Sequence, residues 1–116
     1  MPLIHIKTSV EFAIDKIESV QKVLSKDLAE LTGKPESYVM TIVESGVSMT
    51  FGGDKKPSCY IEIKNIGSFG GGLARRVSSL ISKRIEEYFG VPQNRIYIEF
   101  SEAKGALWGF DGSTFG

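Results

Sequence analysis

The feature that most constrains this chain is an internal repeat, in which residues 1–57 resemble residues 58–116. Residues 4–7 (IHIK) align with residues 61–64 (IEIK), and residues 33–35 (GKP) align with residues 90–92 (GVP). Further apolar positions follow the same spacing: Val39, Thr41 and Val43 align with Ile96, Ile98 and Phe100. Two copies of one supersecondary unit explain this pattern, whereas a solenoid needs three or more repeats.

Each copy is predicted to form a strand, a helix and a second strand. The first copy has strands at about 2–8 and 38–45 around a helix at about 12–32. The second copy has strands at about 58–66 and 95–101 around a helix at about 70–89. Each helix carries an apolar stripe at three- and four-residue spacing. Gly33 and Gly90 are placed as helix C-caps, and Pro35 and Pro92 block continuation.

These units predict the fold class. A strand–helix–strand unit joins parallel strands through a right-handed crossover. We therefore expect one α/β domain over residues 1–116: two pseudo-twofold related β-α-β units, with a four-stranded mixed sheet and two helices on one face. The helix-facing side should carry Ile4, Ile6, Val39, Val43, Ile61, Ile63, Ile96, Ile98 and Phe100. The opposite face mixes apolar and polar residues (Leu3, His5, Tyr38, Met40, Ile42, Tyr60, Glu62, Tyr97 and Glu99), so an oligomer is expected to cover it.

Two stretches lie outside the repeat. Residues 46–56 form a Gly-rich connection with a possible short strand at 47–51. Residues 105–116 form a C-terminal tail with three aromatic residues, which is unusual for a disordered end. We expect this tail to dock as short edge strands, on its own chain or on a neighbour.

Composition excludes several classes of function. The chain has 14 basic and 14 acidic residues, which argues against nucleic acid as the main partner. No apolar run is long enough to span a membrane, and the N-terminus lacks the layout of a signal peptide, so a cytoplasmic location is expected. With one cysteine (Cys59) and one histidine (His5), no disulfide, CxxC pair or metal constellation is expected, and no cofactor is predicted.

The N-terminal residues Met1 and Pro2 carry the first candidate chemistry. If Met1 is removed, the nitrogen of Pro2 becomes a secondary amine, which can act as a base or as a nucleophile. If Met1 is retained, that nitrogen is an amide and cannot act as a base. Proline is also well tolerated at the start of a strand, so these two residues alone do not decide the function.

Several motifs together resemble the macrophage migration inhibitory factor family of the tautomerase superfamily, which includes phenylpyruvate and D-dopachrome tautomerases. They are the Met1-Pro2 start, residues 32–35 (TGKP) followed by Tyr38, residues 51–53 (FGG), Ile66-Gly67 with Gly70-Gly71, residues 95–98 (RIYI) and residues 112–115 (GSTF). The resemblance spans the whole chain. It implies the two-unit fold predicted above and a homotrimer with active sites at the subunit interfaces.

The resemblance also implies roles for individual residues. Pro2 is the catalytic base, and the substrate-binding residues are Lys34, Tyr38, Ile66, Tyr97, Glu99 and Phe110, with Tyr97 coming from the adjacent subunit. Trp108 is offset by two from the family's pocket tryptophan and is expected at a different site. The animal cytokine has a CxxC pair where this chain has Ser58 and Ile61, so oxidoreductase activity is not expected. It also has asparagine where this chain has Glu99.

The implied activity is keto–enol tautomerisation of an arylpyruvate-like or dopachrome-like keto acid. This reaction needs a base that removes a proton next to a carbonyl group. A nearby cation such as Lys34, together with an apolar pocket, would favour the neutral amine of Pro2. Two alternatives stay open. One is a cytokine-like binding protein with a vestigial pocket and an unknown receptor, and the other is a hydratase that uses Glu99 as a second acid–base group.

Overall fold

The computed structural model describes residues 2–116, and the prediction that Met1 is removed lies outside the described residues. Single turns of 3-10 helix at Glu36–Tyr38, Gln93–Arg95 and Gly105–Leu107 link or follow the main elements. The elements are, in chain order, β1 (Leu3–Thr8), α1 (Ile14–Thr32), β2 (Met40–Glu44), β3 (Cys59–Ile66), α2 (Leu73–Phe89), β4 (Ile96–Ala103), β5 (Gly109–Phe110) and β6 (Ser113–Thr114).

The main sheet has four strands in the order β2-β1-β3-β4. Each strand–helix–strand unit pairs its own two strands in parallel, and the units meet through the antiparallel pair β1 and β3. In that central pair Ile4 lies opposite Ile63 and Ile6 lies opposite Ile61, so equivalent residues of the two copies exchange places. This exchange is the pseudo-twofold relation that the repeat predicts, and the predicted fold class is confirmed.

The core lies between the sheet and the two helices. Ile4, Ile6, Ile61 and Ile63 are fully buried on the helix-facing side. They meet the predicted helical stripes, whose buried members include Val20, Leu24, Leu28, Val77, Ile81 and Ile85. The outer residues predicted for this side, from Val39 to Phe100, pack against the same cluster. The alternation of the strands therefore assigned the two faces of the sheet correctly.

Both helices begin two to three residues later than predicted. Before α1, the Phe12 ring stacks on Phe89 with 4.3 Å between ring centroids, which holds the approaching chain against the second helix. Before α2, Gly71 and Gly72 have φ angles of 66° and 82°, which are incompatible with a right-handed helix. Local tertiary packing and glycine conformation thus delay both starts.

The segment at 47–51 does not form the possible strand. Gly46, at a φ of 67°, turns the chain so that the N–H of Val47 donates to the carbonyl of Thr8 at 3.0 Å. The segment then runs past the end of β1, and only Phe51 forms an isolated bridge, to Asp54.

The C-terminal tail forms short strands, but β5 and β6 pair with each other and do not extend the main sheet. Asp111 and Gly112 both have positive φ angles (51° and 76°), as a two-residue Asp-Gly hairpin turn requires. The tail therefore does not dock at the sheet edge of its own chain, and docking on a neighbouring chain stays a prediction.

Candidate active site

A cavity of about 430 Å³ opens at the start of β1, beside the edge strand β2. Three parts of the chain form it: the N-terminus, the turn that leads into β2, and the C-terminal tail. The lining residues are Pro2, Leu3, Ser37, Tyr38, Val39, Met40, Trp108, Gly109, Phe110 and Phe115. The cavity is therefore mostly apolar and contains the N-terminal proline.

Pro2 is a fixed part of this cavity. Its side chain is buried, and its carbonyl oxygen accepts a hydrogen bond from the N–H of Met40 at 3.1 Å. The next residue, Leu3, is already paired with strands on both sides. The β sheet thus holds the N-terminus in place, as the position of Pro2 before an alternating strand predicted.

Three aromatic rings form one wall of the cavity. The Tyr38 ring meets Phe110 and Phe115 edge-on, with centroid distances of 5.4 and 5.8 Å. Phe110 and Phe115 stack on each other at 5.0 Å. The N–H of Phe115 lies within hydrogen-bonding distance of the carbonyl oxygens of Gly105 (3.1 Å) and Trp108 (3.2 Å), which closes the tail into a rigid cap.

The cavity brings together three of the predicted site residues: Pro2, Tyr38 and Phe110. Lys34 lies in the turn after α1, and Ile66 ends β3. These two residues, with Tyr97 and Glu99 on β4, are not among the side chains that line this cavity within a single chain.

The other seven lining residues were not proposed from the sequence as site residues, and the largest side chains among them are Met40, Trp108 and Phe115. The expectation that Trp108 occupies a different site from Phe110 is wrong, because both line the same cavity. The available signal was the number of aromatic residues in the tail, which indicated docking but not where the tail docks.

A second, smaller cavity of about 200 Å³ lies at the start of β3, at the pseudo-equivalent end of the sheet. Tyr97 lies here, exposed, with the centroid of its ring 4.6 Å from that of Phe51. The other lining residues are Met49, Thr50, Gly52, Cys59 and Tyr60.

Arg95 anchors the loop that covers this second cavity through polar contacts with residues 54–58. Its Nε donates to the carbonyl of Pro57 at 2.9 Å, and one Nη donates to Lys56 O at 3.0 Å and Ser58 Oγ at 2.8 Å. The same nitrogen lies 2.8 Å from a carboxylate oxygen of Asp54. The guanidinium carbon also lies 5.2 Å from the centroid of the Phe51 ring.

The sequence as a whole matches one family model. The model described as "Macrophage migration inhibitory factor (MIF)" covers residues 1–116. The chain belongs to this family. Among curated relatives, the macrophage migration inhibitory factor homolog of Trichuris trichiura is 34% identical, with 99% of this chain and all of the relative covered.

Solved structures agree with the family assignment. The macrophage migration inhibitory factor homologue from Prochlorococcus marinus is 48% identical, with a TM-score of 0.94 over 98% of this chain and 99% of that one. The macrophage migration inhibitory factor-like protein from Entamoeba histolytica is 32% identical, with a TM-score of 0.92 and 98% of each chain covered. Membership of the family also places the chain in the tautomerase superfamily.

The two departures from the family pattern can be located in the structure. Glu99 lies on the open face of the sheet, where the phenol of Tyr60 donates to its carboxylate at 3.2 Å. Desolvation, followed by the nearby charge of Glu62 and the contact with Glu99, raises the pKa of the Tyr60 phenol. Glu99 thus has a partner in its own chain.

Cys59 lies where the missing CxxC pair would be. Its side chain is buried, and burial raises the pKa of its thiol from 9.0 to about 12. A thiol in this state is neutral at physiological pH and is a poor nucleophile.

Within residues 2–116 there is no group of three or more His, Cys, Asp or Glu side chains arranged to hold a metal ion. In the same part of the chain, no helix has the length and apolar character needed to cross a membrane.

Proposed function

We propose that this chain is a keto–enol tautomerase for arylpyruvate-like or dopachrome-like substrates, with Pro2 as the catalytic base once Met1 has been removed. The observation that carries the proposal is the buried Pro2 at the cavity of about 430 Å³, beside a wall of three packed aromatic rings.

The surroundings of Pro2 suit proton abstraction. An apolar cavity disfavours the protonated form of an amine, so Pro2 would be available as a base near neutral pH. The base takes the proton next to the carbonyl group and returns it to the enolate oxygen. The rings of Tyr38, Phe110 and Phe115 offer faces and edges on which an aryl group can pack.

The remaining proposed residues fit a site shared between subunits. The Pro2 cavity lies at the β2 edge of the sheet, whereas Tyr97 and Glu99 lie on β4, the opposite edge. A head-to-tail contact between these two edges would close into a ring and bring Tyr97 to the neighbour's Pro2. Lys34 would then attract the substrate carboxylate, and the backbone of Ile66 would contact the substrate.

The exposed apolar residues of the open face also support assembly. Tyr97 and Met40 are 65% and 59% exposed, and Leu107 in the tail is 81% exposed. We expect a homotrimer of about three times 12.7 kDa by native mass spectrometry or light scattering. A stable monomer at micromolar concentration would contradict the shared site.

The activity is tested by comparing two preparations of defined intact mass, one with Met1 removed and one with Met1 retained. The processed form should tautomerise phenylpyruvate and dopachrome, whereas the retained form should not, because an amide nitrogen has no available lone pair. Negligible turnover by both forms would favour a binding protein. Turnover of an unsaturated acid that depends on Glu99 would instead indicate a hydratase.

A further inference from the structure

Asn65 is a buried polar residue whose side chain lacks a partner. It is only 3% exposed, and within residues 2–116 its Oδ1 has no hydrogen-bond donor. Buried polar atoms are almost always hydrogen-bonded, and an orphaned acceptor carries a substantial desolvation cost. The position of Asn65 therefore calls for a donor that residues 2–116 do not supply in this structure.

Strand register puts Asn65 next to Pro2. Leu3 lies opposite Lys64 in the antiparallel pair of β1 and β3, so continuing the register by one residue brings Pro2 opposite Asn65. Both side chains are buried, on the face of the sheet that carries Ile4 and Ile63.

The backbone of Pro2 agrees with this placement. Its carbonyl is turned away from β3, because it accepts the N–H of Met40 on β2. On the continued register, Pro2 and Asn65 would occupy a non-hydrogen-bonded position, the arrangement in which opposed Cα atoms are about 4.5 Å apart and the side chains lie closest.

The other neighbours of Asn65 do not supply the donor. Glu102 lies opposite it on β4, but a carboxylate only accepts, and this one already accepts the N–H of Phe69 at 2.6 Å. Lys64 points to the other face of the sheet. Tyr38, the titratable residue in the cavity lining, belongs to the aromatic wall.

We propose that Asn65 is a positioning residue for the base: its Oδ1 accepts a hydrogen bond from the N–H that Pro2 gains when Met1 is removed. While Met1 is attached, the Pro2 nitrogen is a tertiary amide without a hydrogen, so Pro2 cannot donate to Asn65 before processing. A neutral secondary amine has one hydrogen and one lone pair. When the N–H of Pro2 donates to Asn65, the nitrogen lone pair is left directed into the cavity.

The same contact serves both halves of the proton transfer. When the lone pair takes the substrate's proton, the amine becomes an ammonium with two N–H bonds. One remains on Asn65, and the other faces the substrate and returns its proton to the enolate oxygen. The inference thus deepens the proposed function, since it assigns a partner to the same amine.

The first test uses stability and needs no substrate. Asn65→Leu keeps the side-chain branching but removes the acceptor, and it is compared in the processed and Met1-retained forms. It should lower the melting temperature of the processed form clearly and that of the retained form little or not at all. Equal losses in both forms would overturn the inference. Thr8→Val is the matched control, because Thr8 is a buried polar residue at the far end of β1 and should respond equally in both forms.

The second test follows the pKa of the Pro2 amine by NMR titration of proline-labelled protein. Asn65→Leu should lower this pKa by about one pH unit, since the acceptor stabilises the protonated amine. Asn65→Asp should raise it by about one to three units, since a carboxylate adds an opposite charge. An unchanged value in both variants would contradict the contact.

These readouts separate the two proposals. If both tests succeed but the protein has no turnover, Asn65 holds Pro2 and the proposed activity is wrong. If turnover depends on Pro2 while both tests fail, the activity stands and Asn65 has no part in it.

Discussion

The two cavities occupy equivalent ends of the two repeats, but only one contains a candidate catalytic group. At the repeat offset Pro2 corresponds to Cys59, Tyr38 to Arg95 and Met40 to Tyr97. The coverings also correspond, since Trp108 in the tail aligns with Phe51 in the loop. The pseudo-symmetry therefore extends beyond the sheet to both segments that lie outside the repeat.

The two cavities differ in the residues that surround them. Arg95 spans the loop at the second cavity with four or more polar contacts, whereas Tyr38 leaves the first cavity open beside the aromatic wall. The first cavity also contains the chain end, where removal of one residue creates an amine. A duplicated fold thus offers two similar sites, and only the one at the N-terminus can acquire this base.

The largest expected effect comes from changing Pro2, and its equivalent in the second repeat, Cys59, provides the control. Pro2→Gly keeps a terminal amine after processing but loses the ring and the secondary nitrogen, so phenylpyruvate turnover should fall by about 10²–10⁴-fold. Cys59→Ser should leave turnover nearly unchanged. Circular dichroism and native mass should remain those of the parent for both variants. Wild-type turnover by Pro2→Gly would show that Pro2 is not the base.

The sequence predicted the buried face of the sheet better than it predicted where the helices begin. The alternation of residues such as Ile4 and Ile63 fixed the buried face, because strand side chains alternate strictly. The start of α2 was missed because the positive φ angles of Gly71 and Gly72 follow from tertiary context.

The site was predicted less completely than the fold. Tyr38 and Phe110 were assigned through the family resemblance, and both line the Pro2 cavity. Trp108 was misassigned because a hairpin turn at Asp111 and Gly112 decides where the tail folds back. The hydrophobic pattern of the sequence could not show that the side chain of Asn65 lacks a hydrogen-bond partner, because this follows from its burial and strand register in the structure.

A second prediction replaces Lys34, which follows the first helix, by the residue found at the equivalent position after the second helix. Lys34 corresponds to Val91, which is fully buried. In the proposed site Lys34 contacts the substrate carboxylate in both ground and transition states, and Lys34→Val would remove this charge. KM should rise about tenfold with little change in kcat. Steady-state kinetics with phenylpyruvate measure this, and a fall in kcat at unchanged KM would assign Lys34 to catalysis.

A third prediction concerns Glu99, which corresponds to Ile42 in the first unit. A nearby anion stabilises protonated Pro2, so Glu99→Gln should lower the pH at which activity appears and raise the rate on anionic keto acids by a few-fold. The pH dependence of kcat/KM tests both effects. Because Tyr60 donates to this carboxylate, Tyr60→Phe provides a control for loss of the hydrogen bond alone. An identical profile for Glu99→Gln would mean that Glu99 lies too far from the neighbouring amine.

The smallest effect on function is expected at Cys59, the counterpart of Pro2. Burial raises the pKa of its thiol from 9.0 to about 12, so the folded protein keeps the proton more tightly than the unfolded chain does. This contribution to stability is present below pH 9 and is lost as the pH rises towards 12. At pH 8 a thiol reagent should therefore label native protein far more slowly than urea-unfolded protein. Insulin reduction should not exceed the no-enzyme control, because a single neutral thiol cannot form the intramolecular disulfide of a CxxC pair. Rapid labelling of the native protein, or insulin reduction that disappears in Cys59→Ser, would show that the second cavity is open and chemically competent, and the contrast between the two ends of the sheet would fail.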